Sequence, residues 1–155
     1  MLPVIPVKGA NPCLTKSCSA CCHDTEMLLT EEDVARIAVE HPDVDFVFRA
    51  EDGFLQLRTK DAPSVPGQTG KPCVFLDPTG RCSIHDLRPE GCRLYPAVWD
   101  GEALRTILDA EHCPHPDGFV LAPSVQDAVR RLVDRLESQR RRRTIYPGGA
   151  GEPAP

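Results

Sequence analysis

The chain has 155 residues, 41% of them apolar, and includes eight cysteines, 16 prolines and 11 glycines, with a net charge of −5. That length suits about one domain, and so much proline and glycine predicts a small, loop-rich core. The charge excludes a phosphate-binding sheath over the body, because residues 1–120 hold 11 basic and 19 acidic side chains while only residues 121–155, with seven and four, are basic; no apolar run approaches the roughly 18 residues that cross a bilayer, so no membrane span is expected.

At the N-terminus, Met1-Leu-Pro-Val-Ile-Pro-Val-Lys-Gly has no basic stretch before its apolar residues and is interrupted by two prolines, so it does not resemble a secretory leader and the protein is read as soluble and cytoplasmic. In a reducing compartment clustered thiols bind metal or do redox chemistry, with disulfides the alternative that an even count leaves open. Cys13, Cys18, Cys21 and Cys22 form C-x4-C-x2-C-C. The two-residue gap between Cys18 and Cys21 lets one turn of backbone present two sulfurs to a metal. Adjacent Cys21 and Cys22 are poorly placed to bridge each other, and their diverging side chains do not suit one tetrahedral zinc. A polynuclear iron–sulfur cluster or a pair of metals accommodates them better.

Thr30 followed by Glu31-Glu32-Asp33 is an N-cap with carboxylates in the first turn, and it predicts a helix over residues 31–41. Val34, Ile37 and Ala38 form its apolar face and Pro42 stops it. Residues 46–49 and 54–58 read as strands around the turn dipeptide Asp52-Gly53, and residues 61–72 as a loop. Val74-Phe75-Leu76 and Arg81–Ile84 predict a second hairpin around Asp77–Gly80, bringing Cys73 near Cys82. Pro89 suits the first turn of a short helix holding Cys92, with Gly91 allowing close backbone approach to a cluster. Leu94–Trp99 and Ala103–Leu108 predict a third hairpin that returns Cys113 to the site.

Arg88 and Arg93 flank Cys92, where positive charge would offset thiolate ligands; the alternative for Arg88 is a surface pair with Glu90 or Asp86. Tyr95 and Trp99 are read as shielding core. His85, in Cys82-x2-His85, has a ligand's spacing but is read as a hydrogen-bonding surface residue. Ser124 as N-cap, with Asp127 three residues on, opens an amphipathic helix over 124–143 whose stripe is Ala128, Val129, Leu132, Val133 and Leu136. Arg140–Arg143 then reads as a solvated helix end, and is the one place for weak nucleic-acid contact. Residues 147–155 are expected to be disordered.

The run Pro72-Cys73-Val-Phe-Leu-Asp-Pro-Thr-Gly-Arg-Cys82-Ser-Ile-His-Asp-Leu-Arg88-Pro89-Glu-Gly-Cys92-Arg93-Leu-Tyr95-Pro96, behind the N-terminal knot, resembles the signature of the zinc- or iron-chelating cysteine-cluster family, also called CxxCxxCC or YkgJ, which includes the cysteine-rich domain of flagellin lysine N-methylases. The resemblance spans residues 13–113. It departs from the family where four residues instead of two separate Cys13 from Cys18, and where His85 takes the place of an expected tyrosine. It implies metal chelation, and for some branches methyl transfer.

Together these readings predict one small α+β domain over residues 1–146, with two main helices and short antiparallel hairpins around a metal site. Its metal ligands are Cys13, Cys18, Cys21, Cys22, Cys73, Cys82, Cys92 and Cys113, supported by Arg88 and Arg93. The expected cofactor is an iron–sulfur cluster in preference to zinc, in an electron-transfer or metal-handling protein with a protein partner. An iron–sulfur enzyme resembling the N-methylases is the alternative. No glycine-rich motif, radical-type cysteine triad or catalytic triad occurs, so no catalytic residue is assigned.

Overall fold

Local signals set most of the architecture. A computed structural model describes residues 2–145, and the segment 147–155 expected to be disordered lies outside them. The fold is α+β. Among the described residues four helices, α1 (Pro12–Thr15), α2 (Glu31–Glu40), α3 (Glu90–Leu94) and α4 (Pro123–Ile145), accompany five short strands, β1 (Leu28–Leu29), β2 (Val47–Arg49), β3 (Leu55–Leu57), β4 (Ala97–Asp100) and β5 (Arg105–Leu108). Among the described residues no helix is long and apolar enough to cross a membrane.

Helix α2 starts at the predicted capping box. Asp33 N donates to Thr30 Oγ1 at 3.0 Å and Thr30 N donates back to Asp33 Oδ2 at 3.1 Å, so two N–H groups without a helical partner satisfy each other's cap. The first predicted hairpin is present as β2 and β3, with Val47 opposite Leu57 and Arg49 opposite Leu55. Gly53 takes φ +90 in its turn, a conformation that favours glycine. A strand that the sequence pattern does not announce, β1, adds to the other edge of β3, giving the order β1-β3-β2.

Two expected elements take a different form. The second hairpin is a tight turn instead: Asp77 Oδ1 accepts from Thr79 N at 2.9 Å and Arg81 N at 3.0 Å, and beyond the turn only Leu76 and Cys82 make a ladder pair. The third hairpin, β4–β5, is shorter than predicted, because Leu94 belongs to α3 and Asp100 Oδ1 caps the N–H groups of Glu102 and Ala103, widening the turn. Helix α4 begins at Pro123, one residue ahead of the predicted cap at Ser124. Proline at the first helical position has its φ already set and lacks an N–H that would have no partner there.

Two apolar clusters result. The first gathers Ile5, Leu94, Ala97, Cys113 and Phe119 under Val125, Ala128, Val129, Leu132 and Leu136 of α4. The second joins Ile37 of α2 to Leu29, Val47, Leu55 and Leu57 of the sheet, with Phe46, Phe75 and Ile84. Leu29, Ile37 and Leu55 are fully buried, each worth roughly 1.5–3 kcal/mol relative to exposure.

The far end of α4 ties the clusters together. Gln139 Oε1 accepts from Glu31 N at 2.8 Å, and Arg143 donates to Gly53 O and to Glu31 Oε1, both at 3.0 Å. The arginine run is therefore not simply a solvated end. Positions 132, 136, 139 and 143 share one helix face, which carries Arg143 into the body at 6% exposure. Arg142 pairs with Glu31 and Arg140 with Glu137, while the Arg140 guanidinium lies 5.1 Å from the Phe54 ring centre. Trp99 packs against the first cluster and stacks beneath Arg130.

Candidate metal centre

The N-terminal cysteines sit on consecutive tight turns. Asn11 caps α1 by accepting from Cys13 N at 2.9 Å, and Cys18 N returns to Cys13 O at 3.0 Å. A 3-10 turn, Ala20–Cys22, then presents Cys21 and Cys22. Cys22 O accepts from Cys73 N at 2.6 Å, fixing the first knot to the second. The 61–72 loop is pinned beside them, as Asp24 N donates to Lys71 O and Lys71 N to Asp24 Oδ1, each at 2.8 Å. Gly70 is required there, since its φ is +95 and a Cβ would lie 2.2 Å from Asp24 Oδ2.

The remaining cysteines arrive from separate elements. Cys73 and Cys82 flank the Asp77 turn, and Cys73 Sγ accepts from Phe75 N at 3.5 Å. Cys92 lies mid-way along α3, whose first turn is capped from another helix: Glu90 N donates to Asp33 Oδ1 at 3.1 Å. Gly91 makes its close approach to Met27 instead of the cysteines, a Cβ there falling 2.5 Å from the Met27 sulfur. Cys113 follows β5 in a turn held by Asp109, which accepts from Tyr95 OH at 2.9 Å and from Glu111 N at 3.1 Å.

All eight thiols are free, and all of them line one cavity of about 600 Å³. Among the described residues no three His, Cys, Asp or Glu side chains are closed onto a single metal-binding point. The sulfurs instead surround a shared space. Among the described residues no Asp or Glu lines that space, whereas Arg58, Arg81, Arg88 and Arg93 do. Soft sulfur donors without carboxylates suit zinc or iron and not calcium or magnesium, and the arginines offset the charge such thiolates carry. The residues present therefore fit a thiophilic metal.

Burial shapes the thiols. It pushes Cys13 and Cys73 up to about 11, with neighbouring Cys21, Cys18 and Cys113 adding to the rise at Cys13. Cys82, Cys92 and Cys113 are likewise raised by burial. Cys21 is the exception. A hydrogen bond from the Cys22 thiol holds it below the usual thiol range, and Arg88 works in the same direction. The donor, Cys22, is raised accordingly. A metal bound among them has to displace protons from the thiols that burial raises.

Arg88 takes neither of the surface partners Glu90 and Asp86. It donates to His85 O at 2.7 Å and meets the His85 ring, while Glu90 is engaged by Arg135 of α4 at 2.7 Å. Arg93 donates to Asp86 O and keeps a buried Nε with no partner; burial, then Arg88 and Arg36, lower its pKa. Sequence reasoning did not single out Arg58, Arg81 or His115 on the cavity wall, although the spacing Cys113-Pro114-His115 was a visible signal for the last. Tyr95 packs on the first cluster as expected, and also faces the cavity.

A small α+β fold with every thiol on one carboxylate-free, arginine-bearing wall defines a thiolate metal-binding domain. A family model described as "Putative zinc- or iron-chelating domain", CxxCxxCC, matches residues 12–114. The chain belongs to this family, in agreement with the resemblance drawn from its cysteine and Arg-Pro motifs. No curated protein and no solved structure matches it.

Proposed function

We propose that the cavity holds an iron–sulfur centre, in preference to zinc, ligated by the eight cysteines, and that the loaded domain works in electron transfer or metal handling with a protein partner. The observation that carries this reading is the vicinal pair. Cys21 and Cys22 both face the cavity from one 3-10 turn, an arrangement that a polynuclear centre accepts more readily than one tetrahedral ion does. Bound there, an iron–sulfur group supplies one-electron chemistry.

The chain's own residues would tune that chemistry. Arg58, Arg81, Arg88 and Arg93 place positive charge around the sulfurs, while Ile5, Phe75, Tyr95 and Phe119 restrict water on the apolar side. The test is iron, zinc and acid-labile sulfide analysis with a visible absorption spectrum on protein purified without oxygen. Brown protein with near-equal iron and sulfide is expected. Colourless protein holding zinc alone overturns the iron–sulfur assignment, and metal-free folded protein overturns chelation itself.

A further inference from the structure

Four half-buried arginines sit on carboxylates: Arg36 on Asp33 at 2.8 Å, Arg58 on Asp45 at 3.2 Å, and Arg135 and Arg140 on Glu90 and Glu137 at 2.7 Å. Arg88 and Arg93 are half-buried as well, but among the described residues neither has a carboxylate within reach. They are held by main-chain carbonyls instead. Arg88 Nη1 donates to His85 O at 2.7 Å, and Arg93 Nη2 donates to Asp86 O, the next carbonyl of the same 3-10 turn, His85–Leu87. Asp86 does not neutralise them, since its side chain is fully exposed and comes near only the His85 ring, at 3.7 Å.

A carbonyl orients a guanidinium without cancelling its charge, and charge withdrawn from water without a counter-charge costs free energy. Offsetting thiolates would require only that the arginines be near. These two are also fixed side by side, on adjacent carbonyls, at the wall of a cavity that no Asp or Glu lines among the described residues. Arg88 uses Nη1 alone, so among the described residues its Nε and Nη2 have no partner. That edge of a guanidinium matches the two oxygens of a carboxylate.

The surroundings define the rest of the ligand. Ile5 N donates to Arg93 O at 3.0 Å, which starts an apolar stretch of wall, Ile5, Tyr95 and Phe119, directly beside the pair. A cavity of about 600 Å³ falls in the range that takes a whole small molecule. We infer that Arg88 and Arg93 form the carboxylate-binding end of a small-molecule site in this cavity, and that its ligand is an organic acid whose apolar part lies along Ile5 and Tyr95. This goes beyond chelation and does not depend on which metal the thiols take.

The test titrates the unmutated protein, as purified, with benzoate, hexanoate, benzamide and inorganic phosphate at one ionic strength, and reads binding by calorimetry. Saturable binding of benzoate or hexanoate is expected, with benzamide and phosphate at least about tenfold weaker. Binding of neither acid overturns the site. Benzamide as tight as benzoate overturns the arginine contact, and phosphate as tight as either acid overturns the organic ligand. Arg88→Gln and Arg93→Gln should each weaken benzoate by about tenfold, Arg88→Lys should restore only part of the loss because it keeps the charge without the fork, and exposed Arg131→Gln should change little. Benzoate affinity that is unchanged in either Gln variant, with its thermal transition intact, overturns the assignment. Metal content of the same starting protein tests chelation separately: metal-free protein that binds benzoate defeats the earlier reading and upholds this one.

Discussion

Asp33→Ala should loosen the metal-bearing helix from a distance. Asp33 is fully buried, and its carboxylate accepts from Thr30 N at 3.1 Å, from Glu90 N at 3.1 Å and from Arg36 at 2.8 Å. It therefore closes the cap of α2 and supplies the cap that Pro89 cannot give α3, the helix that carries Cys92. Truncation leaves two buried backbone donors unsatisfied at about 1–3 kcal/mol each, and the partly exposed Arg36 pair adds less than about 1 kcal/mol. The expected loss is about 3–5 kcal/mol, a large part of the roughly 5–15 kcal/mol typical of a domain. Asp33→Asn, which keeps a neutral acceptor, should lose about half as much. Urea unfolding of the metal-loaded proteins measures the loss, and metal content per chain reports on Cys92. A variant within about 1 kcal/mol of the parent and fully loaded would refute the role given to Asp33 as the joint between α2 and α3.

Metal removal by a chelator, or Cys21→Ser, should cost much of the cooperative tertiary structure, because binding free energy is folding free energy when no site exists in the unfolded chain; an unchanged thermal transition by circular dichroism would count against this. Arg143→Met should lower stability by about 1–2 kcal/mol, discounted because its partner Glu31 is partly hydrated, whereas the exposed Arg141→Met should stay within about 0.5 kcal/mol; equal effects in thermal melts would contradict the clasp. Tyr95→Phe tests a pH window. Burial pushes the Asp109 carboxyl up, but the hydrogen bonds from Tyr95 and His112 prevail and hold it below its ordinary value. A depressed folded pKa contributes stability above the unfolded value of about 4 and loses it as pH falls through the folded one. The variant should therefore be about 1–2 kcal/mol less stable at pH 7, with the gap narrowing below about pH 4. A gap that does not change with pH would refute the linkage.

The parts of this fold that were legible in sequence are those with a local cause. Thr30 with Asp33 announced α2, Asp52-Gly53 announced the β2–β3 turn, and the 3.6-residue stripe from Ala128 to Leu136 announced α4. Strand β1 was not legible because two leucines carry no alternation; the free edge of β3 makes Leu28–Leu29 a strand. The segment around Asp77 misled because its carboxylate competes with the ladder for backbone N–H groups. All eight cysteines of the candidate site were visible as a set. Its charge was only half visible: Arg93 is next to Cys92 and Arg88 four residues before it, but Arg58 reaches the wall from the end of β3, and no spacing rule connects it to the thiols. The burial of Arg143 was equally hidden, since a run of four arginines suggests solvent until the helix face it shares with Leu132 and Leu136 is known.

The family match ends at residue 114, yet of the ten residues buried in the first cluster only Leu94, Ala97 and Cys113 fall within 12–114. Ile5 comes from before it, and Phe119 with five residues of α4 from after it. A fragment trimmed to the recognisable stretch would keep every cysteine and lose the lid over Cys113 and Leu94. Its thiols would meet solvent and oxidant on one side, and its exposed apolar surface would favour self-association. The recognisable segment and the folding unit are thus different lengths of chain. Expression boundaries, domain transplants and searches for the minimal metal-binding piece should follow the longer one, out to the Arg143 clasp.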